Sequence, residues 1–255
     1  MEAVLYICHG SRVKEASEQA ISFVKKCMET NEFQGIQEYS FLELSEPSIE
    51  EGFRNCVEKG ATTIRIIPVL LLTAAHAKKD IPEVLEKLSL EYPHVHIQYG
   101  RPIGVHPQMV EIVSDKIRNN SLYKKNDEKI HVVLVGRGSS DPDVKRDLGK
   151  IASLIEKQVD RIDVQDCYLT AAQPSFEEAL QMAEHSSYRH ILVIPYLLFT
   201  GILMKSMEKT IKEMNSIDKE YVLAPYLGYD PFIAEILKER IEEMSVGNEY
   251  AIITS

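Results

Sequence analysis

Val4-Leu5-Tyr6-Ile7-Cys8-His9-Gly10-Ser11, near the start of the chain, has a counterpart in Val132-Val133-Leu134-Val135-Gly136-Arg137-Gly138-Ser139. Each is a short apolar run ending in a glycine-serine turn, the pattern of a strand buried on both faces that leads into a helix. The likeness continues downstream. Pro47-Ser48-Ile49-Glu50-Glu51 recurs as Pro174-Ser175-Phe176-Glu177-Glu178, and Ile67-Pro68-Val69-Leu70-Leu71-Leu72-Thr73 recurs as Ile194-Pro195-Tyr196-Leu197-Leu198-Phe199-Thr200, both at an offset of 127 positions. Gly104-Val105-His106-Pro107 resembles Gly228-Tyr229-Asp230-Pro231. Repeated matches at nearly one offset mark a tandem duplication. The halves span 1–122 and 128–255, joined through the polar stretch from Asn119 to Lys129.

Within the first half, apolar β-branched runs at Ala3–Cys8, Ile36–Leu42, Thr63–Leu70 and Val95–Tyr99 predict strands. Helical patterns fall between and after them, at Lys14–Met28, Ser48–Glu58, Lys78–Glu91 and Pro107–Asn119. Pro47-Ser48 and His106-Pro107 are helix-start signals. The second half predicts strands near Ile130–Val135, Ile162–Tyr168, His190–Tyr196 and Tyr221–Ala224. Strictly alternating elements predict an α/β fold: two tandem doubly wound parallel-sheet domains with helices on both faces.

Composition narrows the function. The chain of 255 residues is long enough for two domains, and 44% hydrophobic with 27% charged residues is a globular balance. A net charge of -10 argues against a general nucleic-acid binder, while leaving room for a locally basic pocket. No run reaches membrane-span length and the start lacks a signal-type pattern, which predicts a cytoplasmic protein without a membrane partner. Cys8, Cys27, Cys56 and Cys167 form no C-x-x-C pair, so zinc-ribbon, cluster and dithiol chemistry are not expected and all four read as reduced thiols.

Ligands of open parallel sheets bind beyond the carboxyl ends of the strands, where strand order reverses; for order 2-1-3-4 that point lies between strands one and three. At this edge strand one ends in Cys8-His9-Gly10-Ser11-Arg12, strand two in Phe41-Leu42-Glu43-Leu44, and strand three runs on to His76. Imidazole and carboxylate are suitable donors for divalent iron, cobalt, nickel or zinc, and imidazole exchanges protons near neutral pH. The duplicate keeps the scaffold but carries Arg137 in place of His9 and Leu203 in place of His76, which points to one functional half. Singly, each histidine also reads as a turn or cap residue, and Glu43 as a solvated strand-end carboxylate. Gly10-Ser11 and Gly138-Ser139 are either tight turns or receivers for a ligand carboxylate at a helix start. Arg12, Lys14, Lys78, Lys79, Arg137, Lys145 and Arg146 supply cations in the corresponding loops and first turns. Met204 and Met207 read as core cover. His94, His96, His106, His131, His185 and His190 show no ligand spacing, and Gly136-Arg137-Gly138 lacks the third glycine of a dinucleotide fingerprint.

Three segments together carry a family resemblance: Leu5-Tyr6-Ile7-Cys8-His9-Gly10-Ser11-Arg12, Glu43-x-x-x-Pro47-Ser48, and Pro68-Val69-Leu70-Leu71-x-x-x-x-His76-x-x-x-Asp80-Ile81-Pro82. They resemble the class II tetrapyrrole chelatases, specifically the sirohydrochlorin ferrochelatase and cobaltochelatase family in its long form of two fused halves. The resemblance implies ATP-independent insertion of divalent iron or cobalt into sirohydrochlorin. It implies that His9 and His76 handle the metal, with Glu43 as a third ligand or proton acceptor, and that the only metal is the substrate itself: iron, or else cobalt or nickel. Gly10, Ser11, Arg12, Lys78, Arg137 and Ser139 are then candidates for holding the carboxylate rim of the macrocycle, the cleft between halves is its expected entry, and the fused halves predict a monomer. A non-catalytic carrier of metal or tetrapyrrole, and a nucleotide-dependent transferase using the glycine turns, remain the competing readings.

Overall fold

The computed structural model describes residues 1–125, 127–214, 218–228 and 230–245. Asn126 of the joint, Tyr229 of the late repeat match and the last ten positions of the second half lie outside the described residues.

The first compact unit is built from Met1–Gly104 with a helix near the end of the chain. Its strands are β1 (Glu2–Cys8), β2 (Ile36–Phe41), β3 (Thr63–Pro68) and β4 (His96–Tyr99). All pair in parallel, in the order β2-β1-β3-β4. The helices are α1 (Lys14–Thr30), α2 (Ile49–Glu58), α3 (Ile81–Glu91) and, joining from the far end of the chain, α9 (Pro231–Ser245). The second unit, within Val105–Asp230, holds α4 (Pro107–Asn119), α5 (Ser121–Lys125), β5 (Ile130–Gly136), α6 (Pro142–Gln158), β6 (Ile162–Tyr168), α7 (Phe176–His185), β7 (His190–Tyr196), α8 (Ile202–Met214) and β8 (Glu220–Leu223). Its sheet order is β6-β5-β7-β8, again parallel. The polar joint contains the short helix α5 in addition to loop.

The elements form where side-chain period and cap chemistry agree. In α2, Ile49, Phe53 and Cys56 fall on one helical face and are buried. Ser48 caps that helix: its hydroxyl accepts from the Glu51 amide while the Glu51 carboxylate accepts from the Ser48 amide, and Ser175 with Glu178 repeats the arrangement in α7. In the first unit, Leu5 and Ile7 of β1 pack with Phe53 of α2 and Ile81 and Leu85 of α3 in one apolar cluster. The opposite face lies under α1 and α9. Burying a side chain such as Phe53 or Leu85 contributes about 1.5–3 kcal/mol each.

The helix predicted over Lys78–Glu91 is interrupted. His76–Asp80 forms a π-turn in which the Ile81 amide donates to the His76 carbonyl, and α3 starts after it. Pro82 accounts for this: it has no amide to donate to Lys78, and its ring displaces the preceding turn.

The last helix of each repeat packs away from its own sheet. In the first unit α9 is fixed by Arg240, whose guanidinium is buried and donates to the carbonyls of Pro102 (3.2 Å) and Ile103 (2.8 Å). Glu243 of α9 accepts from Arg101 (2.9 Å) and Arg240 (2.7 Å), contacts that hold its carboxyl below the usual carboxylate range. In the second unit Lys116 of α4 donates to the Tyr226 carbonyl (3.0 Å). The repeats of the sequence and the packing units are thus different partitions of one chain.

All four cysteines are free and buried, and Met204 and Met207 lie in the second unit's core. His131 is buried at the start of β5, stacked on Tyr188 at 5.1 Å, with Nε2 3.2 Å from Gln165 Oε1. Burial lowers its pKa, so on acidification the unfolded chain takes up a proton that the folded chain refuses. Stability contributed by neutral His131 is therefore complete above the ordinary imidazole range, about 6.5, and is lost as pH falls below it. The loss of denaturation midpoint between neutral and mildly acidic pH should be smaller in His131→Gln than in the parent chain; equal losses would show that His131 carries none of the dependence.

Candidate metal centre

The strand register sets the candidate site. Cys8 of β1 lies opposite Phe41 of β2, and Ile7 opposite Pro68 of β3, so the three chains leave the sheet at one edge. The first turn is closed by Gly10, at φ +92°; a Cβ there would sit 1.7 Å from the Glu43 carbonyl oxygen, a clash that only glycine avoids. The Glu43 amide donates to the His9 carbonyl (3.1 Å), which ties the β1 and β2 exits together, and Leu44 follows in the left-handed region at φ +62°. His76 is delivered by the π-turn, itself held by the buried Tyr99 hydroxyl, which donates to the Ala77 carbonyl at 2.8 Å.

These contacts bring together the three residues expected from sequence. One donor atom from each of His9, Glu43 and His76 lies within 4.8 Å of the others, the sole such group among the described residues. His9 Nε2 and His76 Nε2 are 3.2 Å apart, the rings meeting edge to face at 90° with centroids 4.7 Å apart. His9 Nδ1 faces two oxygens, the Gly10 carbonyl at 3.2 Å and Glu43 Oε1 at 3.6 Å. His76 Nδ1 lies 2.7 Å from Asp80 Oδ2. Oxygen acceptors on both Nδ1 atoms assign hydrogen to those positions and leave each Nε2 as the donor nitrogen. Two nitrogen lone pairs this close repel unless a cation, proton or metal, lies between them. Both rings are partly open to solvent and Glu43 is 45% exposed, so an ion held here keeps coordination positions for another ligand.

The other candidates have varied surroundings. The Ser11 amide donates to Ser45 Oγ (3.2 Å) and the Ser11 hydroxyl accepts from Val13 (3.1 Å), so this residue builds the turn. Arg12 is exposed on the loop after β1 and Lys78 on the π-turn after β3; Lys14, the first residue of α1, and Lys79 of the π-turn are exposed too. In the second unit Arg137 is exposed beside Gly138, which repeats the positive φ at +90° against the Thr170 carbonyl. Ser139 accepts from the Asp141 amide (3.1 Å), and Asp141 caps α6; Arg146 pairs with Asp143 and Asp147. Sequence reading assigned no role to Asp80 or Tyr99. The four-residue spacing from His76 to Asp80 was a visible signal for the first; nothing local marks Tyr99.

The CbiX family profile matches residues 3–120 and again 131–244, once over each repeat. The chain belongs to the CbiX family. A sirohydrochlorin ferrochelatase of Priestia megaterium is 46% identical, the match covering 99% of this chain and 94% of the relative. One from Bacillus subtilis is 41% identical over 97% of this chain and 94% of the relative. Among solved structures, SirB from Bacillus subtilis with Fe3+ superposes with a TM-score of 0.87 at 40% identity, covering 98% of each chain. The CbiX fold is thus present twice, as two four-stranded parallel sheets flanked by helices.

Because both glycine turns make the same close approach, Gly10→Ala and Gly138→Ala should each destabilise the protein by on the order of 1–3 kcal/mol. Only Gly10→Ala displaces Glu43, so it alone should also weaken binding of divalent cobalt, read by visible absorption. Equal metal affinity in the two variants would separate the turn from the site.

Proposed function

We propose that this chain is a sirohydrochlorin ferrochelatase, an ATP-independent metal chelatase that inserts divalent iron into sirohydrochlorin to give siroheme. The observation that carries the reading is the facing pair of Nε2 atoms, 3.2 Å apart, with Glu43 beside them. The first repeat, 1–122, carries the metal site; the second, 128–255, lacks the histidine pair. The near full-length likeness to proteins named sirohydrochlorin ferrochelatase supports iron as the metal. A cobaltochelatase of Priestia megaterium is 34% identical, and a solved SirB structure is described in complex with cobalt, so cobalt is the second substrate metal to test.

The mechanism follows from the donor set. His9, His76 and Glu43 hold the incoming divalent metal, which is a substrate, through too few ligands to enclose it. The pyrrole nitrogens then replace protein ligands one by one as two N–H protons leave. Imidazole nitrogens vacated by the metal, and the Glu43 carboxylate, are positioned to accept those protons. Arg12 and Lys78, with the Gly10-Ser11 turn, are the groups of the first unit suited to a rim of carboxylates; Arg137 and Ser139 are those of the second. No cofactor beyond the substrate metal takes part. No described helix is long and apolar enough to cross a membrane. The proposed enzyme works in the cytoplasm as a monomer, its two fused repeats standing in for a pair of chains.

Anaerobic conversion of sirohydrochlorin, followed by its absorbance with divalent iron or cobalt, tests the reading. His9→Ala and His76→Ala should lower turnover by about 10²-fold or more, with folding retained. Arg12→Ala should raise KM with less effect on kcat. Activity should also fall on acidification, since imidazolium has no lone pair for the metal. Stoichiometric metallation without turnover would instead indicate a carrier.

A further inference from the structure

The second repeat shows which parts of the first are scaffold and which are chemistry. It keeps the positive-φ glycine (Gly138), the left-handed residue after the β2 exit (Ala171 for Leu44) and the capping box at Ser175. Each site residue has changed: Arg137 stands for His9, Thr170 for Glu43 and Leu203 for His76. A fourth position changes with them. At the same offset of 127, Asp80 is replaced by Met207, which is fully buried in the apolar core of its unit. Asp80 itself is half-open and accepts from His76 Nδ1 at 2.7 Å. Loss of the carboxylate together with the imidazole it touches is what a functional pair predicts. An aspartate needed only to start the following helix would have no reason to vanish with the histidine, and Asp80 in fact makes no side-chain cap to α3.

We propose that Asp80 is a positioning residue for metal handling. Its carboxylate holds the Nδ1–H of His76, fixing the tautomer and the ring plane so that Nε2 is always the atom presented to the metal opposite His9 Nε2. Without it the neutral imidazole is free to carry its hydrogen on Nε2, where it blocks the metal, and to rotate about its side-chain bonds. A carboxylate behind a ligating imidazole also raises the basicity of the ligand nitrogen, and removing such partners typically weakens metal binding about 10–100-fold. The π-turn has a part in this. It places His76 and Asp80 four residues apart on one wide turn, whose Ala77 carbonyl is anchored by Tyr99.

The inference rests on the metal site proposed above, and the experiment separates the two. Divalent cobalt is titrated anaerobically into the full chain and its affinity is read from the visible bands for wild type, Asp80→Ala, Asp80→Asn, Glu83→Gln and His76→Ala. The His76 tautomer is read from imidazole ¹⁵N shifts of the metal-free proteins. Asp80→Ala is expected to bind cobalt about 10–100-fold more weakly and to shift the His76 tautomer toward Nε2–H. Asp80→Asn, whose carbonyl still accepts from Nδ1–H, should restore the tautomer and part of the affinity. Glu83→Gln removes an exposed charge nearby and should change neither. Asp80→Ala with wild-type affinity and tautomer would overturn the proposal; if it fails to fold, Asp80→Asn with the wrong tautomer would do so. An equal loss in Glu83→Gln would also overturn it, by showing a general charge effect. Wild-type affinity in His76→Ala would sink the metal site itself rather than the role of Asp80.

Discussion

The structure turns on the contact between residue 10 and the carbonyl of Glu43. A parallel sheet brings strand ends to one edge but does not by itself bring the following loops into register with one another. Here the left-handed Gly10 lets the β1 exit fold flat against the β2 exit, at a separation no Cβ would allow. The Glu43 amide then closes onto the His9 carbonyl. Two donor residues from chain segments 34 positions apart are thereby fixed by backbone rather than by flexible side chains. His76, arriving from β3 on an anchored π-turn, needs only to meet that fixed pair.

The repeat separates this constraint from the chemistry it serves. Gly138 makes the same approach to the Thr170 carbonyl, with the Thr170 amide bonded back to Arg137, yet Arg137 and Leu203 stand where the first repeat has His9 and His76. Backbone geometry that the fold requires is retained in both copies, while the donor atoms are retained in one. A single chain therefore contains its own comparison. Features common to both repeats are explained by folding, and those confined to the first call for a chemical reason.

Much of this was legible in the sequence because parallel α/β elements announce themselves. Strands such as β1 and β5 are buried on both faces and read as unbroken apolar runs, and the strand order placed His9, Glu43 and His76 at one edge before any distance was known. What sequence did not reveal depends on contacts made at a distance. The helix exchange hinges on Arg240 reaching the carbonyls of Pro102 and Ile103, which no local pattern encodes. The π-turn is a response to Pro82 under constraint at both ends, and a periodicity argument reads through it. The support that Tyr99 gives to Ala77 couples β4 to a turn 22 residues earlier, so a tyrosine at a strand end looks like ordinary core until the hydroxyl is traced.

The site is best understood through what it declines to do. A structural metal site closes its coordination shell; one that must hand its ion to a competing macrocycle cannot. Here three donors lie at a partly exposed edge, two of them nitrogens that repel one another when the ion leaves and no proton replaces it. That repulsion and the open positions both favour transfer. Under the proposed function, donors set in place by backbone contacts need little reorganisation to take up the ion. The overall charge of -10 adds a long-range attraction for a divalent cation while opposing a substrate rimmed with carboxylates. Under the proposed function a chelatase of this composition meets its macrocycle with locally placed cations, and the exposed Arg12 and Lys78, three and two positions from His9 and His76, are the candidates.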